Sequence, residues 1–268
     1  MDDEPKHPPE AGPPQLRIDK PSHIATLSLR RPAQRNSLTD DDLHALLDAI
    51  AQVDAEPAVR VLVLRADTTG QPRPVFSAGY HVGGFDQGDH GPQLFERVPE
   101  ALERARPLTL CAMNGSVYGG ATDLVLACDL RLALAGTELR MPACMLGLHY
   151  YPSGLRRYAN RLGLNLAKRA FLTGQALPVQ RLADAAQLFE QVVDAAHFDA
   201  AVQQLATRLA GLAPLAAQAT KQSLNEIAAG RYDEALLRRR EAASMASADF
   251  AEGRAAFAAR RPPRFSGR

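Results

Sequence analysis

Two short apolar runs in this chain break into glycine where a helix could begin, and that arrangement constrains the fold more than any other feature. Val75-Phe76-Ser77 runs into Ala78-Gly79-Tyr80, and about forty residues later Asn114-Gly115-Ser116-Val117-Tyr118 runs into Gly119-Gly120. A strand that enters a glycine turn and opens a helix leaves main-chain N–H groups pointing outward at the helix start. Two such turns side by side would aim their amides at one ligand oxygen. Donors fixed in place before charge develops are commonly the largest catalytic term, about 2.7–4 kcal/mol each.

The surrounding pattern is α/β. From Leu16 to about Pro142, β-branched or leucine-rich runs such as Ile24–Leu29, Val59–Leu64, Leu108–Met113 and Leu130–Ala133 read as strands. They alternate with helical segments: one capped by Thr39 with Asp40, Asp41 and Asp42 in its first turn, then Gly91–Arg106 and Gly120–Cys128. Beyond Gly154 the pattern predicts helices alone, over Gly154–Leu172, Pro178–Ala185, Phe198–Leu212, Ala213–Ala229, Tyr232–Ser247 and Ala248–Ala259. The acidic, proline-rich residues 1–14 read as a disordered tail, residues 15–200 as the α/β core and residues 201–268 as a C-terminal helical region.

Composition narrows the function classes. With 268 residues and 46% hydrophobic content the chain can bury a full core without disulfides. Its 31 basic and 30 acidic side chains leave a net charge of +1, which gives no bulk attraction to nucleic acid or to an acidic membrane. No apolar run reaches the roughly 18–20 residues of a membrane span. Cys111, Cys128 and Cys144 form no metal-ligand spacing and read as buried thiols in a reducing compartment, so a cytoplasmic protein with no metal is expected.

An ordered series of segments resembles the crotonase superfamily, the enoyl-CoA hydratases and isomerases. It comprises Arg31-Pro32-Ala33-Gln34-Arg35-Asn36-Ser37-Leu38, Phe76-Ser77-Ala78-Gly79, Asn114-Gly115 through Gly119-Gly120, Cys128-Asp129-Leu130-Arg131 and Pro142 with Leu146-Gly147. Lys221-Gln222-Ser223-Leu224-Asn225 and Glu252-Gly253 with Phe257 and Arg261-Pro262-Pro263-Arg264-Phe265 complete it. The resemblance implies a spiral of ββα units with a C-terminal helical region that builds a homotrimer or a hexamer. It also implies an acyl-CoA thioester substrate, with coenzyme A belonging to the substrate and no separate cofactor. By the same resemblance the oxyanion hole is the N–H groups of Tyr80 and Gly120. Arg35, Ser77, Ala78, Gly79 and Gly119 fall where relatives wrap the coenzyme, and Lys221 and Phe257 where they approach the adenine held by a neighbouring subunit.

The departures from the family pattern decide the chemistry. Relatives that hydrate enoyl thioesters hold water between two glutamates twenty residues apart; here those positions are Asp123 and Ala143. Aspartate withdraws the carboxylate by about 1.5 Å, and a misplacement near 1 Å can cost on the order of a hundredfold in rate. Alanine transfers no proton. Two-glutamate hydration is therefore not expected, and weight moves to other lyase or isomerase outcomes through a thioester enolate. Asp123, His81 and Tyr150 are the catalytic candidates, with His149 beside them. His81 follows the oxyanion tyrosine directly, and Tyr150 stands where relatives resembling methylmalonyl-CoA decarboxylase also carry tyrosine. Tyr118 and Asp129 are expected to close the helix and the strand after it. Arg156, Arg157 and Arg161, like Arg238-Arg239-Arg240, read as solvated faces. The rival readings are a non-catalytic acyl-CoA-binding or scaffolding member and an RNA-binding one.

Overall fold

The computed structural model describes residues 11–81 and 91–268. Strand β1 (Gly12–Asp19) pairs antiparallel with β2 (Ile24–Arg30), and the chain then turns through Asn36 into helix α1 (Asp40–Ala55). The strand already includes Gly12, Pro13 and Pro14, which corrects the end of the expected tail; residues 1–10 lie outside the described residues. Helix α1 begins where its sequence demands: the Thr39 hydroxyl accepts the Asp42 N–H, and the Asp42 carboxylate accepts the Thr39 N–H.

Three strand pairs then follow, each ending in a helix. They are β3 (Val61–Ala66) and β4 (Val75–Ser77) before α2 (Gly91–Arg104); β5 (Leu108–Met113) and β6 (Ser116–Tyr118) before α3 (Ala121–Ala127); and β7 (Leu130–Leu134) and β8 (Glu138–Arg140) before α4 (Pro152–Thr173). In each pair the first strand joins a sheet containing β1 and β2, and the second joins a smaller sheet. The repeat is thus a ββα unit wound through two sheets.

The larger sheet is completed by β10 (Gln191–Val193), parallel to β7, and the smaller by β9 (Leu177–Pro178), antiparallel to β8, with α5 (Val179–Ala186) between them in sequence. The expectation that strands cease after Gly154 is corrected by these two. Each is only two or three residues long, too short for a period-2 signal to show.

Alternation along β3 sends Leu62 and Leu64 into the main core, and Val61 and Val63 to the opposite face. That opposite face is covered by α6 (Phe198–Ala210) through Phe198, Val202, Leu205, Ala206 and Leu209. Strands buried on both faces read as continuous apolar runs, which is why β3 and β5 were legible. The boundary expected at residue 201 falls inside α6, a helix that belongs to the core.

The remaining helices are different in kind. Helix α7 (Pro214–Ala228) buries only Lys221, α8 (Glu234–Met245) buries nothing, and α9 (Ala248–Ala258) buries Asp249 and Ala256. Leu215, Leu224, Ile227, Met245, Phe250 and Phe257 stay exposed along them. Among the described residues no helix is long and apolar enough to cross a membrane.

Candidate active site

Strands β4 and β6 run parallel, with Val75 opposite Ser116 and Ser77 opposite Val117, so the two glycine turns leave the small sheet side by side. Gly79 has φ of +96° and Gly119 φ of +57°, conformations that L side chains rarely adopt. Their approach is close: a Cβ on Gly79 would stand 2.7 Å from the Tyr118 carbonyl oxygen and 3.4 Å from the Gly119 Cα. Gly115 is pinned in the same way, since its Cβ would fall 2.5 Å from the Phe76 nitrogen. Glycine is therefore required here by contact between backbones as well as by dihedral angle.

The corners of these strands are held by buried amides. The Asn36 side chain donates to the Asp67 and Val75 carbonyls at 2.8 and 3.2 Å and accepts the Arg31 N–H, while Asn114 bonds both main-chain groups of Ala66. Ser77 is buried too; its hydroxyl donates to the Asn36 carbonyl at 2.7 Å and accepts the Gly79 N–H at 3.1 Å. In this arrangement Ser77 shapes the first glycine turn. Ala78 donates its N–H to the Arg35 carbonyl, and the Arg35 guanidinium lies exposed over the Tyr118 ring, 5.5 Å from its centroid.

Around the second turn, Gly120 caps the N-terminus of α3, and a Cβ there would meet the Phe95 ring at 2.9–3.3 Å. Phe95 also contacts the Tyr80 ring, with centroids 6.0 Å apart, and the Tyr151 ring at 6.4 Å. One ring from α2 thus bridges both glycine turns and the start of α4. The Tyr80 hydroxyl donates to Asp40 at 2.5 Å; burial and that carboxylate push its pKa up to about 12.

Asp123 lies one turn into α3 and is fully buried. Its Oδ1 accepts Arg157 Nε at 2.9 Å, and its Oδ2 accepts Arg157 Nη2 and the Tyr151 hydroxyl, both at 2.6 Å. Arg157, 1% exposed, also reaches Glu103 at 3.1 Å, and Glu103 is held in turn by Arg156 at 2.6 Å. Burial alone would lower the Arg157 pKa and raise that of Glu103. The opposed charges outweigh it in both, leaving the guanidinium above and the Glu103 carboxyl below their usual ranges.

The expected solvated face at Arg156 and Arg157 is thereby corrected. The first is half-buried and the second fully buried, because α4 brings them onto carboxylates from α2 and α3. The charge run in the sequence contained no sign of that. Asp123 is held as the acceptor of a bidentate ion pair, with both carboxylate oxygens occupied.

The other candidates do not share one location. Tyr150 is buried with its ring against Tyr158 and Phe171, and its hydroxyl donates to that of Tyr151 at 3.0 Å, so it stands behind Tyr151. His81 and His149 are both exposed, and the His81 N–H is bonded to the Leu38 carbonyl. Lys221 is buried, with its ammonium 2.8 Å from both the Pro107 carbonyl and Asp129; it clamps α7 to the sheet edge. Asp129 also accepts from Thr109 on β5, and Tyr118 donates to Glu138, a bond that joins β6 to β8 rather than closing the helix as expected. Phe257 is 88% exposed on α9. Cys111 and Cys128 are buried, but Cys144 is exposed, a correction to the expectation of three buried thiols.

Tyr151 is the residue that sequence reasoning passed over. Its neighbour Tyr150 carried the family's signal, and only the direction of the chain into α4 distinguishes the two. A cavity of about 710 Å³ lies elsewhere, between α2, α4, α7 and α8, lined by Arg156, Lys221, Asn225 and Arg240 among others. Its main cations are already paired, Arg156 with Glu103 and Arg240 with Glu226. Residues 82–90, which directly follow His81, lie outside the described residues. Among the described residues no group of three or more His, Cys, Asp or Glu could hold a metal ion.

Parallel glycine turns at the edge of a two-sheet ββα spiral define the architecture of a known family. A model of the enoyl-CoA hydratase/isomerase family matches residues 19–268, and the chain belongs to that family. It is 28% identical over 260 residues to the 2,3-dehydroadipyl-CoA hydratase of Escherichia coli (strain K12), covering 95% of this chain and 99% of that one. It is 30% identical over 262 residues to the mitochondrial enoyl-CoA hydratase domain-containing protein 2 of Bos taurus, covering 91% and 84%. The crystal structure of an enoyl-CoA hydratase from Bacillus anthracis has the same fold, with a TM-score of 0.86 at 24% identity over 96% of this chain and 100% of that one.

Proposed function

We propose that the chain is an acyl-CoA lyase or isomerase that stabilises a thioester enolate between the N–H groups of Tyr80 and Gly120. The observation that supports this reading is the close approach of the two glycine turns, which Tyr80 and Gly120 directly follow in the chain. A thioester carbonyl seated there becomes more electron-demanding, and both deprotonation at the α-carbon and attack at the β-carbon push charge onto its oxygen. The fold supplies the enolate stabiliser, and neighbouring side chains choose the reaction.

Hydration by a pair of carboxylates is disfavoured on two grounds: Ala143 supplies no acid or base, and Asp123 is bound to Arg157. The exposed guanidinium of Arg35 is suited to a coenzyme phosphate beside the first turn. The exposed apolar side chains of α7 to α9, Phe257 foremost, suit a homotrimer or hexamer in which a neighbour covers them. Three free cysteines fit a reducing, cytoplasmic setting.

The test is a panel of enoyl-, β-keto- and carboxyacyl-CoA thioesters offered to the purified protein, read by turnover and by calorimetry. Saturable turnover of at least one class is expected; absence of both turnover and binding overturns the reading. The burial of Asp123 in an ion pair favours one alternative, a non-catalytic acyl-CoA-binding member. Tight binding with the thioester recovered unchanged after long incubation selects that alternative.

A further inference from the structure

We infer that Tyr151, rather than Asp123, His81 or Tyr150, is the side chain that delivers a proton to the substrate enolate. The inference rests on the enolate reading above and adds to it a proton donor.

Three observations carry it. Tyr151 is the partly exposed member of a buried polar line: Tyr150 donates to Tyr151, Tyr151 donates to Asp123, and Asp123 is clamped by Arg157. Its ring stacks on Tyr150 with centroids 4.1 Å apart and touches Phe95, the ring that also covers Gly120 and meets Tyr80. Of the groups around Asp123, it is the one that joins the carboxylate to the aromatic set spanning both glycine turns. Third, burial first and the Asp123 charge second push the Tyr151 pKa well above the ordinary tyrosine value, so the resting hydroxyl is protonated at neutral pH.

That combination is suited to an acid and unsuited to a base. A thioester enolate is a far stronger base than a phenolate, so it can take a proton even from a tyrosine of raised pKa. In the step, the Tyr151 O–H turns from Asp123 Oδ2 to the α-carbon, the O–H bond breaks and a C–H bond forms there. The electron pair on the enolate makes that bond, and the thioester carbonyl is restored. The phenolate left behind keeps the Tyr150 hydrogen bond and is then protonated by water. Asp123 acts through Tyr151 as a positioning residue: with its oxygens fixed by Arg157, it holds the phenol oxygen in place by accepting its hydrogen bond until the substrate takes over as acceptor.

The experiment compares the wild type with Tyr151→Phe and Tyr150→Phe on the thioester panel, with solvent deuterium incorporation at the α-carbon read by mass spectrometry alongside kcat and KM. For Tyr151→Phe the expected result is a kcat about 100-fold or more lower, KM changed less than about 3-fold, and deuterium incorporation lost. Tyr150→Phe keeps the proton donor and is expected to lower kcat by less than about 10-fold. Circular dichroism and melting of both variants report the fold independently. Unchanged kcat and deuterium incorporation in a folded Tyr151→Phe protein overturns the inference while the enolate reading stands. A wild type that binds thioesters but neither turns them over nor exchanges the α-proton also overturns it. A wild type that binds none removes the enolate reading itself.

Discussion

The two glycine turns and the charged cluster behind α3 meet where Asp123 follows Gly119 and Gly120 in the chain, and are built on opposite principles. The turns are built from main-chain atoms: Gly79 and Gly119 come close because neither has a side chain, and on the function proposed here the acting groups are amides whose direction follows from the backbone. The cluster works through long side chains drawn from three helices, Glu103 from α2, Asp123 from α3 and Arg157 from α4. The first is fixed because a Cβ on Gly79 would collide with the Tyr118 backbone and because Gly119 takes a positive φ that other residues rarely adopt. The second is rigid because each buried charge has a partner, and removing one partner leaves another charge without compensation in a medium that tolerates it poorly.

The largest effect expected from breaking this contrast is on the cluster. Arg157→Met leaves Asp123 buried and unpaired, and is expected to destabilise the fold by about 3–5 kcal/mol in denaturant titration. Adding Asp123→Leu to that variant should recover part of the loss, since a buried pair replaced as a pair is often close to neutral. A single variant as stable as the wild type would show that the pair does not form.

Gly79→Ala tests the turns. Its methyl would lie 2.7 Å from the Tyr118 carbonyl oxygen at a φ of +96°, so the turns must part. An enolate stabiliser opened by about 1 Å should lose on the order of a hundredfold in kcat/KM. Activity within a few-fold of wild type would mean that the amides do not act.

The cluster also predicts a pH response. Arg156 and Arg157 hold the Glu103 carboxyl below 4.5 in the folded chain. Its contribution is full above the unfolded value of about 4.3 and disappears as pH falls through the lower folded value. The melting temperature should fall on acidification below about pH 4.5, and Glu103→Gln should flatten part of that fall. At the alkaline end Tyr80, raised to about 12, favours the folded state up to the unfolded tyrosine value near 10 and loses that preference between the two. Tyrosinate absorbance should show Tyr80, Tyr150, Tyr151 and Tyr158 ionising late or only on unfolding.

The smallest effect expected is at the start of α1. Thr39→Ala removes the hydroxyl of the capping box and should cost about 1 kcal/mol of stability with no change in kinetics, because the cap leaves the Asp40 contact with Tyr80 in place.

Much of the architecture was legible because its signals are local. The Thr39 cap, the buried runs of β3 and β5 and the glycine turns announce themselves over windows of a few residues. The short strands β9 and β10 gave no such signal, since they exist as strands only through their partners β8 and β7. At the site, the order of motifs named the turns but could not choose between Tyr150 and Tyr151. Adjacent residues leave the chain in different directions, and here Tyr150 points among Tyr158 and Phe171 while Tyr151 meets Phe95. Lys221, Arg156 and Arg157 were misplaced for a related reason: a cation's partner more than thirty residues away leaves no trace in its neighbours.

By itself the amino-acid sequence determined the alternation of strands and helices and the glycine turns and, set beside the family it resembles, the absence of a second glutamate, because each is a matter of backbone freedom or of which residue type occupies one position. Only the tertiary structure decided that Asp123 is neutralised by Arg157 and that Tyr151 holds the hydroxyl on that pair. Those facts depend on helices from distant parts of the chain meeting in one buried place, where charge and hydrogen bonding must be satisfied together.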